Sequence, residues 1–309
     1  MAAYIAKRLC QTIFVLWGVS LVTFLLMNVV PGDPVLLMLE KRAKPEAVER
    51  IRHEMGLDKP GAVQYMNFVR NAIKLDLGRS YFTREPVMTA LSRRFGVTVR
   101  LALSAYAIAM ILGISVGVLS ALQRGRAFDS LVRGGAVLGI SAPVFWVAII
   151  LQMIFGLRLG WFPISGLRSP GSFVLPAIAL GVRYMASISR VTRTSMLEVT
   201  GQDYIRTARA KGLAERVVVL KHALKNALIP IITLAGTELG DLLTGSMLTE
   251  WVFALPGIGK LMVDSILTRD LPMLQGTVLY VAVVFVLSNL AVDISYAFID
   301  PRIRYAKTD

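Results

Sequence analysis

LALSAYAIAMILGISVGVLSAL, residues 101–122, runs for 22 residues without a charged side chain. A helix crossing a hydrocarbon core of about 30 Å needs about 20 such residues, because no water is present there to satisfy the backbone. Working outward, residues 9–30, 134–157 and 271–292 are equally free of charge. Two further apolar stretches are imperfect: 173–189 carries Arg183, and 226–251 carries Glu238, Asp241 and Glu250. The pattern predicts an all-α polytopic membrane protein with six transmembrane helices.

Composition agrees. Of the 309 residues 55% are hydrophobic and 17% charged, and the lone Cys10 lies inside the first apolar run, where it has no second cysteine to pair with or to share a metal. The net charge of +14 suits either nucleic acid or an acidic membrane surface. Its placement between apolar runs selects the lipid bilayer, and without aromatic platforms among the basic residues no nucleic acid partner is expected. Lys7 and Arg8, then Arg124, Arg126 and Arg133, then the dense set over 190–225, then Arg302, Arg304 and Lys307 all fall on one side of the predicted spans. The positive-inside rule makes that side cytoplasmic and places both termini there. The first run resembles a signal peptide, but its 22 apolar residues and the poor cleavage site at Asn28-Val-Val-Pro31 read as a retained anchor.

The chain divides into 1–100, an anchor helix plus an external loop region, and 101–309, a five-helix core with a cytoplasmic loop at about 195–227. Helical apolar spacing recurs at 45–55 and 62–74 within the external loop. Pro256-Gly-Ile-Gly259 reads as an outer turn before a short amphipathic helix at 260–267, either a solvated connector or an outer gate built on Pro256, Gly257 and Gly259. Trp161 and Trp251 suit an outer interfacial belt.

Asp203-Tyr-Ile-Arg-Thr-Ala-Arg-Ala-Lys-Gly212 has an acidic start, basic residues near its end and a glycine able to take the left-handed stop conformation. It predicts a short helix, followed by a second from Glu215 to about Ala227. Tyr204-Ile-Arg-Thr-Ala-Arg-Ala-Lys-Gly-Leu213 and His222-Ala-Leu-Lys-Asn-Ala-Leu-Ile-Pro230 resemble the coupling loop of bacterial dipeptide, oligopeptide and nickel permeases. Pro31-Gly-Asp-Pro34, Asp76-Leu-Gly-Arg-Ser80, Arg193-Thr-Ser-Met-Leu-Glu-Val199, Pro256-Gly-Ile-Gly259 and Asp300-Pro-Arg-Ile-Arg304 are similar to the same family in the same order.

The resemblance implies a type I ABC importer permease architecture and a binding-protein-dependent importer of dipeptides or short oligopeptides. Its implied partners are a homologous second permease, two ATPase subunits that hold ATP and magnesium, and an external solute-binding protein. This chain would bind no cofactor itself and act as a transport subunit rather than an enzyme. The docking role falls on Tyr204, Arg206, Thr207, Ala208, Arg209, Ala210, Lys211, Gly212 and Leu213. Importers in general carry Glu-Ala-Ala, three residues, then Gly; Arg206-Thr207-Ala208 before Gly212 lacks the acid, as the peptide branch of the family does.

Charge at mid-bilayer costs at least about 2.5 kcal/mol, so it faces a partner or water. Arg183 lies ten residues after Phe173, and Asp241 ten before Trp251, which places both roughly 15 Å deep. Arg183 is therefore expected to pair with Asp241 or Glu238, either to hold two helices together or to line the translocation path, where Glu250 is a further candidate. An acidic lining would favour cationic cargo, which keeps a nickel or metal-chelate permease as the alternative; no metal site within the chain is expected. Asp293, near the inner end of the last span, reads as a structural partner for an arginine. From another class, Gly113-Ile-Ser-Val-Gly117 matches the nucleophile-elbow spacing of a serine hydrolase, but it sits mid-span with no histidine near it. Gly113 and Gly117 read better as a close helix-packing face.

Overall fold

The structure, a computed structural model, describes residues 2–29, 35, 45–54 and 57–299. The Pro31–Pro34 and Asp300–Arg304 blocks and the Asp293 side chain lie outside the described residues. Among those described, the chain is helical, with a single bridge between Arg79 and Pro86. Two compact units form: residues 1–97 with 257–309, and residues 98–256. The last span therefore belongs to the same unit as the first, not to the unit that holds the other spans.

In the first unit, α1 (Ala2–Val29) packs along the last helix, Leu271–Ile299. The segment after α1 forms α2 (Pro45–Glu54) and α3 (Gly61–Ile73), close to the spacing its apolar residues predict. Tyr65 of α3 meets α1 through Ser20, oxygen to oxygen at 2.9 Å, and through an edge contact with Phe24. Gly78, at φ +81°, turns the Asp76–Ser80 motif, and Ser80 Oγ then donates to the buried carboxyl of Asp270. Tyr81 N donates to the same carboxyl at 3.2 Å, so the segment is tied to the residue that precedes the last helix.

Helix α4 (Val87–Leu122) is 36 residues long and begins well before the uncharged run, with Arg93, Arg94 and Arg100 in its first turns. The third apolar run is not one straight helix. α5 (Ala127–Ser141) and α6 (Val144–Leu151) meet at a 107° bend, and α6 continues as a π-helical segment, Gln152–Arg158. Pro143 is the cause: it has no N–H to continue the ladder, and its ring holds Ala142 extended at ψ 130°. Gln152 Nε2 donates to the carbonyls of Ile164 at 2.7 Å and Val252 at 3.1 Å, tying down the loop that follows.

Next comes α7 (Val174–Thr200), then α8 (Asp203–Ala210). The predicted separate helix from Glu215 to about Ala227 does not exist. Glu215–Val217 passes through a π-helical segment, Val218–Ala223, straight into α9 (Leu224–Gly245), which carries Pro230 inside it. Val218, Val219 and Ala223 of that segment are buried, so the chain gains more by continuing the helix than by turning again. Ser246 interrupts the span before α10 (Met247–Val252). α11 (Ile258–Thr268) and α12 (Leu271–Ile299) complete the chain, with Gly257 preceding α11 and Gly259 buried in its first turn.

Three glycines set how α4 meets α7. A Cβ on Gly181 would lie 3.0 Å from Ala105 O, one on Gly113 would lie 3.0 Å from Met185 O, and one on Gly117 would lie 2.6 Å from Ser189 O. Backbone thus touches backbone along the seam, the packing role expected of Gly113 and Gly117. Contacts advance together along both helices, from 105 with 181 to 117 with 189, so the two run parallel. Parallel neighbours require one return crossing between them, and the bent α5–α6 pair is what remains to make it. Five helices are long and apolar enough to cross a membrane, and counting the bent pair as one crossing makes six.

Candidate coupling site

Helix α8 begins with Asp203 and carries Arg209 in its last turn, matching the signs of its dipole. It stops at Gly212, whose φ of +77° few residues other than glycine adopt readily. Arg209 then bridges the turn, with Nε 3.1 Å and Nη2 2.7 Å from the two carboxylate oxygens of Glu215. That hydrogen-bonded pair holds the Glu215 carboxyl below its usual range and raises Arg209 further. Tyr204 OH accepts a hydrogen bond from Asn226 Nδ2 at 2.6 Å, closing the hairpin across its open side.

The two faces of α8 differ. Ile205 and Ala208 are buried in one apolar cluster with Val118 and Ala121 of α4, Met196 of α7, and Val218, Val219 and Ala223 of the π-helical segment. Tyr204, Arg206, Thr207, Arg209, Ala210, Lys211, Gly212 and Leu213 are exposed. Ala208, grouped in the sequence with the docking residues, therefore faces the spans of its own chain. The outward apolar surface comes instead from Tyr204, Leu213, Val217 and Leu220.

Beside this cluster lies a clamp that sequence reading missed. Asp129, 1% exposed, receives Arg193 Nε at 2.6 Å and Nη2 at 2.9 Å, Ser120 Oγ at 2.7 Å and the Gly125 amide at 3.0 Å. One carboxylate thus joins the end of α4, the start of α5 and the last turns of α7. The signal was an acid set among Arg124, Arg126 and Arg133, which counting basic residues alone passes over.

The expected ion pair within the membrane does not form: no salt bridge joins Arg183 to Glu238 or Asp241 among the described residues. Arg183 and Asp241 are both exposed on the surface of this chain, whereas Glu238 is buried with Arg183 as an electrostatic neighbour. Glu250 is fully buried and accepts Ser246 Oγ at 2.9 Å. Pro256 is exposed, following the buried Leu255, whose amide donates to Glu250 O at 2.8 Å.

Residues 113–305 match the family described as the binding-protein-dependent transport system inner membrane component, and residues 1–102 match its N-terminal membrane component. The chain belongs to this family. As a binding-protein-dependent transport permease it is a multi-pass component of the bacterial inner membrane rather than an enzyme. Membership implies ATPase, solute-binding and second permease partners. The permease is 46% identical to a putative peptide transport system permease of Brucella abortus (strain 2308), over 99% of this chain and 100% of that one. It is 42% identical to the di/tripeptide transport system permease DppB of Pseudomonas aeruginosa, over 99% and 100%. Among solved structures it is similar in fold to the inward-facing MetNI methionine ABC transporter, with a TM-score of 0.58 at 21% identity, over 70% of this chain and 99% of that one.

Proposed function

We propose that this permease forms one half of a translocation path for dipeptides and short oligopeptides, with a related second permease supplying the other half. Two ATPase subunits hold ATP and magnesium, and an external binding protein delivers the peptide. Six crossings put both termini on one side of the membrane, and the basic residues make that side cytoplasmic. The hairpin of α8 then faces the ATPases and offers them Tyr204, Leu213, Val217 and Leu220 within a basic rim of Arg206, Lys211 and Arg216.

The observation that carries the reading is the buried face of α8. Ile205 and Ala208 share one core with α4, α7 and the root of α9, so a push on the hairpin reaches three spans as a rigid body. The peptide assignment rests on relatives whose names specify peptides. Exposed charges of both signs within the spans, Arg183 and Asp241, suit a cargo that carries an ammonium and a carboxylate.

The test is uptake of a labelled dipeptide, against nickel, in cells carrying the complete system. Dipeptide uptake that disappears with the double substitution Leu213→Asp and Leu220→Asp, while the permease stays in the membrane, is the expected result. Uptake of nickel alone overturns the peptide assignment. Undiminished dipeptide uptake by the double variant overturns the docking role of the hairpin.

A further inference from the structure

We propose that the cleft between α5 and α7 holds an anionic phospholipid, its phosphate on the arginines and one acyl chain along the apolar floor. A cavity of about 220 Å³ opens there, lined by Arg133, Arg190 and Arg193 together with Val132, Ala136 and Val137. Asp129 is the acid these arginines contact among the described residues, at 2.6 Å from Arg193 and 3.9 Å from Arg133. Three guanidinium groups against one carboxylate leave the cleft with a surplus of two positive charges.

A second observation points to a ligand. Ser189 also lines the cavity, is 3% exposed, and its Oγ has no hydrogen-bond partner among the described residues. A buried hydroxyl without a partner is costly, and a phosphate oxygen supplies the missing one.

Depth and surroundings select a lipid over a soluble anion. From Val174 to Arg190 is about 24 Å along α7 and to Arg193 about 29 Å, so the arginines arrive where a hydrocarbon core of about 30 Å gives way to headgroups. The neighbouring face of α5 is apolar and open, with Leu131, Val137 and Leu138 each more than 60% exposed. A free anion gains nothing from that floor, and a hydrocarbon chain gains nothing from the guanidinium groups. A phospholipid uses both, and basic pockets between membrane helices take anionic headgroups in this way.

The placement in the inner leaflet rests on the orientation proposed above; the charge, cavity and unpartnered hydroxyl do not. The test uses the whole transporter in nanodiscs of phosphatidylcholine with and without phosphatidylglycerol, with retained lipid counted by native mass spectrometry. The complex is expected to retain phosphatidylglycerol selectively. The double variant Arg133→Gln, Arg190→Gln should weaken retention roughly thirtyfold, at the strength of two basic groups near an anionic surface. Ser189→Ala, which keeps every charge, should weaken it by a smaller factor, and unchanged elution on size exclusion checks assembly of both variants. Equal retention of the two lipids, retention untouched in both variants, displacement by inorganic phosphate, or the second permease seated in the cleft overturns the proposal. Because neither peptide nor ATP is present, a negative result leaves the transport reading intact, and a failure of peptide uptake leaves this one intact.

Discussion

Arg193 holds both carboxylate oxygens of Asp129, with Nε at 2.6 Å and Nη2 at 2.9 Å, although the two residues lie 64 positions apart. Only a planar fork meets two oxygens at once, so lysine is not an equivalent here. Arg193→Lys should lower the melting temperature of the detergent-solubilised complex by a few degrees, and Asp129→Asn should lower it further. The reversed pair, Asp129→Arg with Arg193→Asp, should fail to recover stability, because Ser120 Oγ and the Gly125 amide both need an acceptor at position 129. Full recovery in the reversed pair would show that charge alone matters.

Gly117 sits where a Cβ would come within 2.6 Å of Ser189 O and of Thr192 Cβ. Backbone cannot yield as a flexible side-chain end does, so Gly117→Ala must separate α4 from α7, at a cost of about 1 to 3 kcal/mol. Gly134, in α5, has nothing within 4 Å of its Cβ position, so Gly134→Ala should be neutral or slightly stabilising. Thermal unfolding of both variants in one detergent checks the contrast, and equal effects would remove the close-packed seam from the account.

Gly212 has open space around its Cβ position, so backbone conformation is the whole of what alanine would disturb there. At φ +77°, Gly212→Ala should cost about 1 to 2 kcal/mol, and Gly212→Asn less, since asparagine tolerates the left-handed region. The expected order for peptide-stimulated ATP hydrolysis is wild type, then Asn, then Ala. An alanine variant that equals wild type would mean that the turn is not needed for coupling.

Glu215 is held below its usual range by Arg209, so the pair supports the hairpin at any pH above the ordinary carboxyl value of 4.5. That support is lost as pH falls through the depressed native value. Amide exchange protection of α8 should therefore be insensitive to Glu215 between about pH 6 and 8, and should drop only in more acid solution. Glu215→Gln should remove the acid-side drop. A change in protection near neutral pH that Glu215→Gln abolishes would contradict this.

Ser80 donates to Asp270 in the first unit, where both side chains are buried. Ser80→Ala leaves a buried carboxyl short of a donor, at about 1 to 3 kcal/mol. Limited proteolysis should then cut the segment after α1 faster while α8 keeps its exchange protection. Equal cutting of both forms would separate Ser80 from the order of that segment.

Much was legible from the chain alone, for identifiable reasons. Spans must be long and uncharged because the bilayer offers the backbone no partner, so 101–122 and 271–292 declare themselves. The stop at Gly212 is local, set by one residue's freedom at positive φ, and so are the helices at 45–54 and 61–73. The bend at Pro143 was locally encoded too, but a hydropathy window averages across it.

Sequence alone determined that the chain crosses a membrane, where its α8 hairpin begins and turns, and that glycines 113 and 117 meet another helix. Tertiary structure decided which helix, and that it runs parallel. It turned Ala208 inward, left Arg183 without its expected salt bridge, and brought Arg193 onto Asp129. The reason is range: period, length and φ are properties of neighbouring residues. Which of two charges meet, and which face of a short helix is covered, depends on how distant spans pack.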